Sequence, residues 1–278
     1  MEELDLMYKL LLVSDSEEVL NAFRQINNWE LLGFKQPHIR RDYAGMLDSL
    51  EKHHADGICI SSSPESEEKM LLYLQKHYPN TSIFEAGKTP EDVLFYLNEL
   101  KVLLNRLYAD FSNDRFTGLH DRLQICRHEF FRNLINGKIK TPAEVTRNMR
   151  LLRSRMDADR PSMLIELSQE EIHEDQMEGR WHYGEDQFEK ALRNSFGGDY
   201  NGMHILPTVH PDGRILVLAC PLHGIEQALT VDEMTACMTT YTAKCIQHME
   251  HFHGITLHIS DIRVLSALTV LCSEKESI

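Results

Sequence analysis

The sequence predicts an α/β chain in two parts. A parallel sheet wrapped by helices comes first, and an α+β domain with a mostly antiparallel sheet follows beyond a helical stretch. Three observations predict this. Short apolar runs alternate with amphipathic segments from Tyr8 to Phe84, as in a doubly wound sheet. A leucine-rich stripe then continues at helical spacing. Farther on, two strand-like runs flank His210-Pro211-Asp212-Gly213, a turn sequence that makes them a hairpin.

Tyr8–Val13 (YKLLLV) is a continuous apolar run of strand length, and Glu17–Asn27 follows with Val19, Leu20, Phe23 and Ile26 on one helical face. Trp29–Phe34 reads as a short second strand and Ala44–His53 as a helix carrying Met46, Leu47 and Leu50. Gly57–Ile60 (GICI) is a third strand, Glu65–Tyr78 a helix and Thr81–Phe84 a fourth strand. Thr89-Pro90-Glu91-Asp92 opens the next helix, with a cap, a proline at the first position and acids in the first turn.

That helix is long. Leu97, Leu100, Leu104, Leu107 and Phe111 recur with the 3,4 spacing of a coiled-coil seam. Leu119, Leu123, Cys126, Phe130 and Leu134 continue the pattern after Gly118. The stripe is expected to form a homodimer seam; packing on its own domain is the competing reading. Asn136-Gly137 ends the helix, and Thr141-Pro142-Ala143-Glu144 starts another.

In the second part, Ser162–Leu167 (SMLIEL) reads as a strand, Tyr183–Ser195 as a helix, and Gly202–Val209 with Arg214–Cys220 as the hairpin. Gly197-Gly198-Asp199 reads as a loop, since Gly-Gly-Asp is turn chemistry. Val231–His251 is a long helix, Ile255–Ile259 an alternating strand and Ile262–Leu271 a last helix.

Composition bounds the function. With 42% hydrophobic and 26% charged residues the chain is of globular type. No apolar run approaches the roughly 18 residues that span a bilayer, and MEELDLMYK lacks the basic-then-apolar order of a signal peptide, so a cytoplasmic chain with no membrane contact is expected. The net charge of −14 repels a phosphate backbone. Asp114–Arg160 departs from it with 11 Lys/Arg against 6 Asp/Glu, a local excess of 11 − 6 = +5, read as a solvated helical face. Six scattered cysteines without a C-x-x-C pair suit reduced core thiols.

The first part resembles the receiver domain of two-component response regulators, a flavodoxin-like (CheY-like) fold. The resemblance rests on LLLV followed by acidic residues and on GICI followed by Ser-Ser-Ser-Pro. It implies an acidic pair after the first strand, a phosphoacceptor Asp after the third and a Ser/Thr after the fourth, which perform phosphoryl transfer around a metal. Here the pair falls on Ser14 and Asp15, the acceptor on Ser61, and the Ser/Thr position on or near Glu85, with no convincing Lys-Pro. An acyl phosphate needs a carboxylate, so the resemblance implies a pseudo-receiver that keeps the fold without the chemistry.

The whole chain resembles the upstream part of AraC-type response regulators with long linkers. His128–Ile139 (HEFFRNLINGKI) resembles their connector, and Ser162–Leu268 follows the order of their degenerate GGDEF-like domain. The implied domains are a receiver-like domain at 1–107, a helical connector at 108–158, a GGDEF-like domain at 159–272 and a tail at 273–278. The cyclase signature would lie in the hairpin turn, where His210-Pro211-Asp212-Gly213-Arg214 lacks its glycine pair and metal acid. No helix-turn-helix follows, so DNA binding would run through a domain outside this sequence.

Other chemistry is weaker. Cys245, His248, His251 and His253, with His258 as a fifth candidate, lack the paired spacing of a zinc site and read as a solvated helix end, with no metal and no cofactor. Trp181 and Tyr183 sit before a helix and could line a ligand pocket, although a core anchor is the commoner use of such aromatics. Three functions remain: a non-catalytic, dimer-forming regulatory module of a transcription factor, a small-ligand or nucleotide sensor in the second domain, and a residual enzyme. The missing carboxylates argue against the last. A partner protein or small ligand supplies the input in the first two.

Overall fold

The computed structural model describes residues 7–108, 119–169, 185–210, 212–224 and 229–272. The chain divides into two compact units. One comprises Met1–Cys126 with Arg147–Ser154, the other Arg127–Thr146 with Arg155–Ile278. Among the described residues no helix is long and apolar enough to cross a membrane.

The first unit is a four-stranded parallel sheet with helices on both faces. Its elements are β1 (Leu10–Ser14), α1 (Glu17–Arg24), β2 (His38–Arg40), α2 (Tyr43–Lys52), β3 (Gly57–Ser61), α3 (Pro64–His77), β4 (Ser82–Phe84) and α4 (Pro90–Tyr108). The order β2-β1-β3-β4 is that of a flavodoxin-like sheet with four strands described. Leu12 pairs with Ile39 on one side and Cys59 on the other. A strand inside a parallel sheet is covered on both faces, so β1 is apolar without alternation. Leu11, Val13, Ile58 and Ile60 face Met46 and Leu50 of α2 and Met70 and Leu74 of α3. The other face meets α1 and α4. A Cβ on Gly57 would lie 2.6 Å from Leu100 Cδ2, so glycine is what lets α4 approach β3.

Two expectations fail in this unit. Trp29–Gly33 is a run of turns, Phe34 makes only an isolated parallel bridge to Tyr8, and the second strand is His38–Arg40. The Leu31, Leu32, Gly33 and Phe34 amides all bond back to carbonyls of residues 28–30, Gly33 adopts φ +83°, and Leu31 is 82% exposed. Turn chemistry at Asn28 and Gly33 overrides the apolar composition. The expected dimer seam is spent inside its own unit. Leu97, Leu100, Leu104 and Leu107 are 1%, 0%, 1% and 2% exposed within a single chain and have no area left to bury against a second copy. Phe111 lies outside the described residues.

Two helices follow, α5 (Leu119–Ile135) and α6 (Pro142–Leu151). Gly137, at φ +65°, closes α5, with the Lys138 amide reaching back to the Asn133 carbonyl.

The second unit holds β5 (Ser162–Gln169), α7 (Glu185–Phe196), β6 (Gly198–Tyr200), β7 (Met203–Val209), β8 (Ile215–Pro221), α8 (Val231–His253) and β9 (Leu257–Leu265). The sheet order is β6-β7-β8-β5-β9, with antiparallel pairs throughout. Without β6 this is a β-α-β-β-α-β plan. Met163, Ile165, Ile205 and Val217 on one face of the sheet form a core with Leu192 and Phe196 of α7 and Met234, Met238 and Met249 of α8.

Two further expectations fail here. Gly198-Asp199-Tyr200 is a strand paired with β7, not a loop. Ile262–Leu271 is not a helix: β9 continues to Leu265, and a short 3-10 turn covers Leu268–Cys272. Ser260 of β9 is an extra, bulged residue opposite Glu166 and Leu167 of β5, and Ser260 and Asp261 are both exposed. That break in the two-residue period is what imitates a helical pattern in the sequence.

Candidate functional site

Strands β1 and β3 leave the sheet at the same level, with Ser14 and Ser61 as register partners. The chain turns to β2 on one side of this point and to β4 on the other. Such a switch point, outside the carboxyl ends of the strands, is where open α/β sheets bind ligands. Ser14, Asp15 and Ser61 are brought together here.

Their environments differ. Ser14 is fully buried, and its Oγ accepts the Ser16 N–H at 3.2 Å. Asp15 is exposed, and its Oδ2 accepts the Ser62 hydroxyl at 3.2 Å. Ser61 is half-buried at the end of β3. The site thus offers one carboxylate among hydroxyls. A serine hydroxyl can form a stable phosphoester but not an acyl phosphate.

Glu85 follows β4 and is half-buried. The Tyr96 phenol of α4 has its pKa raised by burial first and then by the Glu85 charge. The Arg147 guanidinium lies 5.5 Å from the Phe95 ring centroid and 6.0 Å from that of Tyr96. It also grips Glu99, with Nε 3.0 Å from Oε2 and an NH2 bond of 3.3 Å to Oε1. One turn on, Arg150 pairs with Glu67 of α3 at 3.0 Å. Lys88, in Gly87-Lys88-Thr89-Pro90, is the cation nearest in sequence to β4, and it pairs with Glu18 of α1 at 3.5 Å. A threonine separates this lysine from Pro90, so the sequence carries no Lys-Pro signal there.

The hairpin turn of the second unit is an ion-pair knot. The Asp212 carboxylate accepts the Arg214 backbone N–H at 3.1 Å and its Nε–H at 2.8 Å, and His210 Nδ1 approaches it at 2.7 Å. The Arg214 hydrogen bond holds this carboxyl far below the usual range. Arg214 also reaches Glu166 at 3.5 Å. The acid of this turn is therefore occupied by its own neighbours.

A second polar cluster was not foreseen. Asp199 and His204 are cross-strand partners, and His204 Nδ1 lies 2.6 Å from Asp199 Oδ1, with Arg155 at 2.9 Å from the other oxygen. His204 Nδ1 and the Arg155 guanidinium hold the carboxyl below its ordinary value. Nearby, His128 Nδ1–H donates to the Pro207 carbonyl at 3.0 Å, and burial pushes its pKa down to about 4. The pairing of Asp199 with His204 could have been found only by recognising Gly198–Tyr200 as a strand.

The histidine cluster on α8 is dispersed. Cys245 is buried and its thiol is pushed up by that burial, whereas His248 turns to the Ser195 hydroxyl at 3.1 Å. No group of three or more His, Cys, Asp or Glu side chains that could hold a metal occurs among the described residues. Trp181 and Tyr183 lie outside the described residues.

No protein-family model matches the chain, and no curated protein matches it. Among solved structures it is similar to RcsB from Salmonella enterica serovar Typhimurium, bound to promoter rprA in the presence of phosphomimetic BeF3-. The identity is 15%, the match covers 52% of this chain and 83% of that one, and the TM-score is 0.27.

Proposed function

We propose that the chain is a non-catalytic regulatory module of the response-regulator type, controlling the output of a DNA-binding domain without being phosphorylated itself. The carrying observation is the pair of serines, Ser14 and Ser61, side by side at the switch point of the parallel sheet. A phosphorelay needs carboxylates at these positions, and the lone Asp15 is already engaged by Ser62. The resemblance to AraC-type regulators supports the transcriptional role, and the net charge of −14 supports DNA contact through a separate domain. In the second unit, the self-paired Asp212 supports a cyclase-like plan without cyclase activity. Any homodimer would use surfaces other than the buried stripe of α4.

Acetyl phosphate with Mg²⁺ tests this reading. The intact mass should stay unchanged; an adduct of about 80 Da, the added phosphate group, that is labile to hydroxylamine would mark an aspartyl phosphate and overturn it. Incubation with GTP and Mg²⁺ should yield no cyclic dinucleotide, and any product would reassign the second unit as an enzyme.

A further inference from the structure

Helix α3 turns one face to solvent, and that face is patterned. Glu68, Leu72 and Lys76 recur every four residues and so form one ridge along the helix. All three are exposed, Leu72 at 45%. On one side of the ridge the rings of Tyr43 of α2 and Tyr73 of α3 meet edge to face at 6.0 Å, and the Lys69 ammonium sits over the Tyr43 ring at 4.4 Å. Ridge and rings together line a shallow groove of about 460 Å³. Lys69 is thereby drawn to the aromatic side of the groove. Glu68 and Lys76 lie 76 − 68 = 8 residues apart, about 12 Å of helix, too far to meet each other. Neither has an ion-pair partner among the described residues.

Leu72 is the midpoint of this ridge, with the acid four residues before it and the base four residues after it. A second α3 laid antiparallel, with a two-fold axis passing at Leu72, would set Leu72 on its own copy. At both ends Glu68 of one chain would then face Lys76 of the other. A two-fold contact requires such a self-complementary surface. A parallel pair would set Glu68 against Glu68 and Lys76 against Lys76, which like charge disfavours. We propose that the exposed ridge of α3 is a homodimer contact, in which two chains pair antiparallel through Glu68, Leu72 and Lys76. The occupant is a second copy because the ridge complements itself in charge about its own apolar centre. One helix face per chain is a small surface, and contacts below about 1,200 Å² are weak and transient. The dilute chain is therefore a monomer, and pairs form as its concentration rises. The contact does not rest on the serines of the switch point, so it stands whatever acetyl phosphate does.

The test is sedimentation equilibrium of the full chain in low-salt buffer, from low micromolar to near-millimolar protein, with circular dichroism to follow the fold. The wild type should shift from monomer towards dimer, and added salt should weaken the pair by screening its exposed charges. Glu68→Lys and Lys76→Glu each turn two attractions into two repulsions. Each should weaken pairing at least about tenfold and leave the dichroism unchanged, since both side chains are exposed. An equimolar mixture of the two variants should pair again, because each supplies the charge that the other's ridge now lacks. The double variant Glu68→Lys/Lys76→Glu should pair like the wild type. A wild type that stays monomeric at every concentration overturns the proposal and leaves the groove to a different partner. A dimer that ignores both charge reversals overturns it too, because that dimer uses another surface. So does failure of both the mixture and the double variant to restore pairing, since the two charges would then not face each other across the axis.

Discussion

His128 shows how one buried side chain sets a pH response. Its Nδ1–H is fixed on the Pro207 carbonyl, and burial disfavours the imidazolium, as do Arg193, His204 and Arg127 nearby. The folded pKa is about 4, against 6.5 for the free side chain. Between these values the unfolded chain binds a proton that the folded chain refuses. Stability is therefore full above pH 6.5, falls as the pH drops towards 4, and levels off below it, for a total of up to about 3 kcal/mol. Urea unfolding of the wild type and of His128→Asn between pH 7 and pH 4 isolates this group. The wild type should lose about that much relative to the variant; a difference independent of pH would show that His128 titrates normally.

At the scale of elements, α8 is specified at both ends and along one face. Thr230 and Glu233 form a capping box, and Gly254 closes the helix in the left-handed region. Met234, Met238, Thr242, Cys245 and Met249 are its buried residues. Thr242 is the exception among them, since its hydroxyl is fully buried and has no hydrogen-bond partner. An unsatisfied buried hydroxyl costs about 1–3 kcal/mol. Thr242→Val keeps the shape and removes the orphan group, so it should stabilise the protein by about 1 kcal/mol at the low end of that range. Thermal melting checks this, and a lowered midpoint would mean that the hydroxyl has found a partner. Helix α4 carries the opposite lesson. Its leucines have the spacing of a coiled-coil seam, yet a helix lying on a sheet needs the same stripe, and periodicity cannot tell the two apart.

For the molecule as a whole, the partner of that stripe decides what a mutation does. Leu104 is buried inside the first unit, so Leu104→Glu would place an unpaired charge in a core, at a cost of several kcal/mol. That is comparable to the total stability of a domain, about 5–15 kcal/mol. The variant should lose the first unit and keep the second, with no change in the subunit count of what remains folded. Circular dichroism with sedimentation equilibrium distinguishes this from a seam mutation, which would give folded monomers from a wild-type dimer.

Much of this protein follows from its sequence alone. The run LLLV is apolar at every position and forces a strand covered on both sides, and Thr89-Pro90 forces a helix start. The chemistry at the switch point was legible too, because Ser14 and Ser61 lack carboxylates whatever surrounds them. Tertiary structure decided the rest. Whether Trp29–Phe34 extends or turns depended on Asn28 and Gly33 adopting positive φ, a local cost repaid by packing Trp29 against Phe23. Whether Ile262 continued a strand depended on β9 pairing with β5, nearly a hundred residues earlier, across a bulge at Ser260. The ion pairs of Arg147 with Glu99 and of Arg150 with Glu67 link α6 to helices far away in sequence, and exist only because the end of α6 packs in the first unit. Local propensity and periodicity are read from neighbours in the chain; contacts between distant segments arise only when the packed core brings them together.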